Sequence, residues 1–536
     1  MPSTISVLST SVLATWLALP ILLLALAGFA NWTQSKTKLS HCWNLAELVL
    51  KGLIAATGMV GLLLLLKSAG LDTRLPELGA PLGLYPDGLS VWMALMVSFV
   101  AWVILRYARD YLRGDAAFPV FLPWFLTTVA SVLVLVFTNH LLVLAFAWIG
   151  VSLALHQLLT LYPERAEARL AAAQKFITSR LGDLAIIAAV VLIWRHYGSF
   201  RIPEIYALAG EMGSSSRELT LASVLLAIAA ALKCAQIPFH GWLIRVMEAP
   251  TPVSALLHAG VINLGGFLWL RLFPVFDGFT AGHFLLLVVG GVTAIIAVFA
   301  MMTQSSVKHA LVWSTNAQMG FMLFEIALGA YTLALLHLLA HSLYKAHSLL
   351  ASGRTVRATA VYFSGRPGVA QVVLAGLASG LAATILWLLP ELVENKTILA
   401  ALLIMAVAAA VLGTPHGSTA RARLSVFAMA VSLVPLYGLL NLILGPAVAG
   451  VDAFVLSPVA VLVAWTMLGL LAVMSLLVLF MPERAWLQQL NLPLSHGLYL
   501  DRPFEHVTRR WARQWLQVGT ATSDHSRYVL SSGESS

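Results

Sequence analysis

The chain has 536 residues, 60% of them hydrophobic and only 10% charged, and its formal net charge is +9. Soluble domains carry about 25% charged residues, so a water-soluble protein is excluded and a polytopic membrane protein is described. The two cysteines, Cys42 and Cys234, cannot build a disulfide framework and lack metal-ligand spacing.

Apolar runs follow one another along the chain, centred on Ala14–Ala30, Leu48–Leu66, Ser90–Leu105, Phe121–Phe137, Leu141–Tyr162, Phe176–Trp194, Leu221–Pro238, Pro252–Leu272, Phe284–Met302, Ala310–Gly329, Tyr331–Leu350, Val369–Leu389, Ile398–Leu412, Val426–Leu444 and Ala453–Phe480. Their lengths suit a bilayer about 30 Å thick, which predicts an all-α protein with about 13–16 transmembrane helices. The first run lacks a basic n-region, so it reads as a membrane span rather than a cleaved leader. Lys and Arg are unevenly shared between alternate loops. Lys36, Lys38, Arg106, Arg109, Arg113, Arg165, Arg169, Lys308, Arg354, Arg357, Arg366, Arg421 and Arg423 fall on one side, against mainly Arg74, Arg195, Arg201 and Arg217 on the other. The richer side is cytoplasmic by the positive-inside rule, which places the N-terminus outside and the tail inside. This bias accounts for the positive charge, and no nucleic-acid partner is implied. Membrane lipid is the surface such basic loops touch.

No strand-like alternation interrupts the helical pattern, so residues 1–485 read as one transmembrane domain and 486–536 as a basic cytoplasmic tail. Within the tail, Arg502–Gln517 has the pattern of an amphipathic helix lying on the membrane or a partner, and Thr522–Ser536 reads as disordered.

Ionisable groups inside membrane spans are costly and mark ion pathways by default. In chain order, the first such block is QKFITSRLGD (174–183), with Lys175, Arg180 and Asp183. A buried Asp near a lysine makes a switch if the pair separates and an ordinary salt bridge if it does not. Next, Lys233 lies in an apolar helix five residues before Pro238, which removes a backbone donor and breaks or kinks that helix. His258, in the following span, is placed to relay protons. Glu325 is deep enough in its span to need a partner. His337, His341 and Lys345 recur every four residues and fall on one stripe of a helix; a buried lysine in register with two histidines is hard to explain by packing alone. Glu391, Glu394 and Lys396 cluster between two spans, as an exposed ion-pair patch or a proton exit. His337 and His341, with His347 nearby, also have the spacing of helical zinc ligands. Against that reading, Lys345 on the same stripe would repel a metal, and no cysteine or carboxylate is close in sequence. The residues therefore describe a proton path.

The blocks QKFITSRLGD, KCAQIPFHGWLIRVMEAPTPVSALLHAG, QSSVKHALVWSTNAQMGFMLFE and LHLLAHSLYKAHSLLASG together resemble the antiporter-like subunits of respiratory complex I, above all the L subunit, over residues 84–356. The resemblance implies discontinuous helices and a hydrated proton path through Lys233, His258, His337, His341 and Lys345. Three departures stand out. Ile149, between Trp148 and Gly150, occupies the place of the family's glutamate, so either Asp183 substitutes or the path differs. The next block's lysine is one place late, at Lys175, where the family pattern puts it at Gln174. Past Asp501 there is no room for the L subunit's long lateral helix, and Asn395–Lys396 is the nearest equivalent of its later lysine.

A shortened, diverged L-like chain is similar to the DabB family, the membrane subunits of bacterial DAB inorganic carbon pumps. That similarity implies an inner-membrane subunit, not catalytic alone, that supplies a cation current to a DabA-like soluble zinc partner on the cytoplasmic side. The zinc is expected in the partner, and no cofactor in this chain. The alternative implied by the L-like blocks is a proton-pumping subunit of a respiratory complex or of a multisubunit cation/proton antiporter.

Overall fold

The structure is a computed structural model that describes residues 4–33, 35–70, 73, 75–212, 216–276, 278–353, 366–393, 397–415, 417–448 and 455–514. The described residues contain no strand, only two isolated bridges, Leu84 with Thr138 and His140 with Arg201. Two long helices, α1 (Thr4–Trp32) and α2 (Lys36–Ser68), are followed by the short α3 (Leu75–Gly79). Four spans come next: α4 (Gly88–Tyr111), α5 (Phe118–Phe137), α6 (Leu141–Leu159) and α7 (Ala166–Tyr197). After the short α8 (Ile202–Met212), α9 (Arg217–Lys233), α10 (Gly241–Arg245), α11 (Thr251–Ala259) and α12 (Leu264–Leu272) form the interrupted centre. The antiparallel α13 (Ala281–Met302) and α14 (Val307–Ala327) lead to α15 (Tyr331–Leu350). The last spans are α16 (Val369–Leu388), α17 (Thr397–Leu412), α18 (Ala420–Leu444) and α19 (Pro458–Phe480), before the surface helix α20 (Ala485–Ser495).

Each of the apolar runs read from the sequence meets a helix, with α11 and α12 sharing one run. Eleven described helical spans are long and apolar enough to cross a membrane. The runs outside that number are the short α9 and α17, 17 and 16 residues long, and α14 and α15, which carry polar stripes. Helix starts follow ordinary capping chemistry. Asp87 accepts from Ser90 N at 2.8 Å ahead of α4, and Ser216 from Leu219 N at 3.1 Å ahead of α9.

The core lies around α11 and α12. The stretch Thr251–Val275 is 94% buried, whereas Pro458–Phe480 is buried over only 17% and offers the rest outward. Two features hold the centre together. Gly290 of α13 and Gly320 of α14 face each other so closely that a Cβ on either would come within 2.8 and 2.7 Å of the other's carbonyl oxygen, the small-residue contact that brings membrane helices near. Buried Arg271, in the last turn of α12, makes a bidentate pair with Asp87 at 2.6 and 3.1 Å and donates to Ser90 Oγ at 2.7 Å. That pair ties α12 to the start of α4, and its two parallel bonds fix the geometry.

The helix breaks differ from the expectation. α9 ends at Lys233, not at Pro238: Ala235 takes a left-handed φ of 51°, and Gln236 N donates back to Ala231 O at 2.9 Å, a Schellman closure. Pro238 acts at a distance, because it has no N–H for the Cys234 carbonyl four residues back and its ring would collide with it. A second break, unmarked by proline, separates α11 from α12. Gly260 leaves helical geometry (φ −124°, ψ −72°) and Val261–Asn263 form a 3-10 turn.

The start of the tail packs against the bundle. Residues 502–514 are helical, and Ala512 is fully buried against Leu170 and Ala173 of α7. Val507 and Trp511 of the same helix stay exposed.

Candidate proton-translocation site

The first polar group is built where α6, α7 and α9 meet. Lys175 Nζ donates to the Ser152 carbonyl at 3.0 Å, and Lys233 Nζ donates to Ser152 Oγ at 3.1 Å. Both lysines are buried. Lys233 also stands 4.4 Å from the centre of the Trp148 ring, a cation–π contact. As the last residue of α9 it sits where the helix dipole favours a cation. Asp183 makes its ion pair with Arg180, at 2.6 Å, and Arg180 in turn covers the Phe176 ring at 4.8 Å. Among the described residues neither lysine has a carboxylate within ion-pair distance; each rests on a neutral oxygen of one serine. Ile149, three residues before Ser152 on the same helix, is half-buried. A cavity bounded by Ser152, Lys175, Lys233 and Trp242 has room for about one water molecule.

The second group is threaded on α14. Lys345 Nζ donates to Ser314 Oγ at 3.0 Å and to Leu311 O at 3.3 Å. His258 Nδ1 meets Thr315 Oγ1 at 3.2 Å. His337 Nε2 lies 2.6 Å from Gln318 Oε1, and its Nδ1 lies 3.0 and 3.1 Å from the two oxygens of Glu325. Glu325 thus has the partner its depth requires. A doubly protonated His337 donates to both neighbours, and a rotated Gln318 amide serves the neutral ring, so one pocket suits either state. His341, between His337 and Lys345 on the stripe, is buried, and among the described residues neither of its ring nitrogens has a hydrogen-bond partner. A buried polar group without a bond is costly.

The 3-10 turn at Val261–Asn263 separates the two groups. Asn263 Nδ2 bonds Ser342 Oγ of α15 at 2.7 Å and Ala259 O at 3.1 Å, and Cys234 Sγ donates to Ile262 O at 3.2 Å. The turn therefore touches the end of α9 on one side and the histidine helix on the other. No direct hydrogen bond joins Lys233 to His258 among the described residues.

Of the residues read from the sequence, Lys175, Lys233 and Asp183 gather in the first group, and His258, Glu325, His337, His341 and Lys345 in the second. Glu394, Lys396 and the side chain of Glu391 lie outside the described residues. His347 is exposed and does not join the stripe. Sequence reasoning missed Ser152, Asn263, Ser314, Thr315, Gln318 and Ser342. The polar residues Ser314, Thr315, Asn316 and Gln318, close together inside a membrane span, were the available signal.

Residues 138–443 match the family described as NADH:quinone oxidoreductase/Mrp antiporter, transmembrane, and residues 74–122 match the N-terminus of complex I chain 5. The chain belongs to the NADH:quinone oxidoreductase/Mrp antiporter family. Both polar groups fall inside the longer match. A probable inorganic carbon transporter subunit DabB of Hydrogenovibrio crunogenus is 45% identical over 272 residues, 51% of this chain and 52% of that protein. DabB2 of Halothiobacillus neapolitanus is 43% identical over 272 residues, 51% of this chain and 49% of that protein. Subunit L of the NADH-quinone oxidoreductase of Pseudomonas aeruginosa is 35% identical over 275 residues, 51% of this chain and 45% of that protein. The match spans about half the length of these curated relatives. The DabB-like and L-like resemblance read from the sequence blocks is thus borne out.

Among solved structures, the Mrp complex from Dietzia sp. DQ12-45-1b superposes with a TM-score of 0.57 at 22% identity, over 98% of this chain and 61% of that one. The archaeal membrane-bound sulfane sulfur reductase gives a TM-score of 0.57 at 15% identity, over 92% of this chain and 99% of that one. At such identities the likeness concerns the antiporter fold.

Proposed function

We propose that this chain is the cation-translocating membrane subunit of an energy-coupled inorganic carbon uptake complex, with the proton as the coupling ion. One observation carries the ion path: two groups of buried lysines and histidines, the lysines bonded to neutral oxygens and His337 to Glu325, meet at a broken helix in the middle of the fold. Ammonium and imidazole groups bonded to hydroxyls and carbonyls can give up a proton without breaking an ion pair. The carbon substrate is supported by the similarity to DabB proteins and by Ile149, which removes the carboxylate expected of a respiratory L-type path.

On this reading the chain catalyses nothing alone. It conducts protons down their gradient and couples that current to a soluble, carbonic-anhydrase-like zinc subunit that converts CO2 and bicarbonate. It sits in the bacterial inner membrane with its N-terminus outside and the basic loops and tail in the cytoplasm.

Affinity purification of the full chain, followed by identification of what accompanies it, tests this proposal. A large soluble zinc protein is the expected companion. Co-purifying quinone-reductase or cation-antiporter subunits would instead place the chain in a respiratory complex or an antiporter.

A further inference from the structure

At the end of the bundle that holds the start of α7 and the loop before α14, an open cavity of about 970 Å³ reaches in between the helices beneath residues 495–509. Two smaller cavities continue it inward. The first shares Gln174, Asp501 and Glu505 with the opening and adds Thr178 and Trp242. The second shares Thr178 and Trp242 with the first and ends on Lys175 and Lys233. Along this route Gln174 is only 2% exposed, and among the described residues neither its side-chain Oε1 nor the buried Trp242 Nε1 has a hydrogen-bond partner. Polar atoms therefore line each step from the opening to the two lysines.

The tail is seated over this opening. Arg245 of α10 is ion-paired with Glu505, Gln304 Nε2 donates to Ser495 O at 3.0 Å, and Phe504 packs edge-on against Phe239 with ring centres 4.9 Å apart. Gly497 makes the fit: at φ +59° a Cβ there would stand 2.6 Å from the Trp313 ring and 2.7 Å from His240 Nε2. The carboxyls of Asp501 and Glu505 face the cavity, and burial holds both above their ordinary titration range even though Arg245 opposes the shift.

We propose that Asp501 and Glu505 are the proton-collecting groups of this mouth, handing protons inward past Gln174 and Thr178 to Lys175 and Lys233. The tail then supplies the carboxylate chemistry that α6 lacks at Ile149. Each transfer moves one proton, from solvent to a carboxylate oxygen, then through water in the smaller cavities to the neutral amine of a lysine; no electron moves. This rests on the proton-translocation reading above.

The test uses the full chain with its co-purified partners in vesicles containing a pH-sensitive dye. Wild type is compared with Asp501→Asn, Glu505→Gln, the double variant and Lys233→Ala, each with and without millimolar imidazole as a mobile proton carrier. The double variant is expected to lose roughly tenfold in proton flux, the lower end of what a positioned proton-transfer group supplies, and to regain most of it with imidazole. Lys233→Ala is expected to regain nothing. Full flux in the double variant while Lys233→Ala is dead would overturn the assignment. A loss that imidazole does not restore would overturn it too, since the carboxylates would then serve only to seat the tail. Asp501→Asn alone keeps the test valid if Glu505 variants fail to assemble, because Asp501 makes no ion pair among the described residues. Wild-type vesicles without proton flux would instead sink the underlying reading of the protein.

Discussion

The two polar groups solve the same problem with opposite materials. Around Ser152, two lysines from α7 and α9 share one neutral residue, and the carboxylate of this group, Asp183, is paired with Arg180. Along α14, a carboxylate is present and is spent on a histidine, Glu325 on His337, while Lys345 rests on Ser314. The first group repels a proton once both amines are charged; the second can hold one in an imidazole–carboxylate pair. On the proposed path, a proton passing from the first group to the second leaves a repelling site for a retaining one. The broken helix at Gly260–Asn263 stands at the step between them.

The largest effect expected from breaking this arrangement is loss of transport in Lys233→Ala and in His341→Ala. Each removes a titratable group for which the described residues offer no substitute in place. Vesicle flux and retention of the co-purified partners would be measured together, and full transport in either variant would remove that residue from the path. Restoring the respiratory pattern sharpens the comparison. Asp183→Asn should cost about tenfold or more in flux, yet much less in an Ile149→Glu background, where a new carboxylate lies one turn from Ser152; a double-mutant cycle measures that coupling. Equal losses in both backgrounds would show that the two positions do not serve one group.

Ser152→Ala is expected to be milder, about 1–2 kcal/mol or roughly tenfold in rate, because it deletes the hydroxyl bonded to Lys233 but keeps the carbonyl bonded to Lys175. A loss as deep as that of Lys233→Ala would mean that the serine is itself a relay. The smallest effect concerns the tail. Burial raises Asp501 and Glu505, so the docked tail binds protons more tightly than the released one. Docking is then strongest below the ordinary carboxylate range and weakens as pH rises through the raised values. A spin label at Trp511→Cys should be less mobile in mildly acidic than in alkaline buffer; a mobility independent of pH would dissociate docking from these carboxyls.

Much of this was legible in the sequence, and for identifiable reasons. Apolar length alone located the spans, because bilayer thickness allows few alternatives. Lys233, His258, His337, His341 and Lys345 announced themselves by being charged or titratable in hydrocarbon. Their partners did not. Ser152, Ser314 and Thr315 are ordinary in any helix, where a hydroxyl bonds its own backbone, and nothing local distinguishes one that accepts from a lysine on another helix. The break at Gly260 was hidden because glycine is tolerated in membrane helices, whereas Pro238 drew the boundary to itself. The helix really ends at Lys233, just before Cys234, whose carbonyl the proline leaves without an N–H. The seat of the tail depends on pairs such as Arg245 with Glu505, 260 residues apart, which no local pattern encodes.

That separation has a consequence for assembly. Every residue of both polar groups precedes Ser495 in the chain and is synthesised before it. The bonds from Gln304 to Ser495 and from Arg245 to Glu505 close over a finished bundle. A nascent chain that has just completed α19 therefore still lacks the bonds that seat residues 495–505 over the cavity.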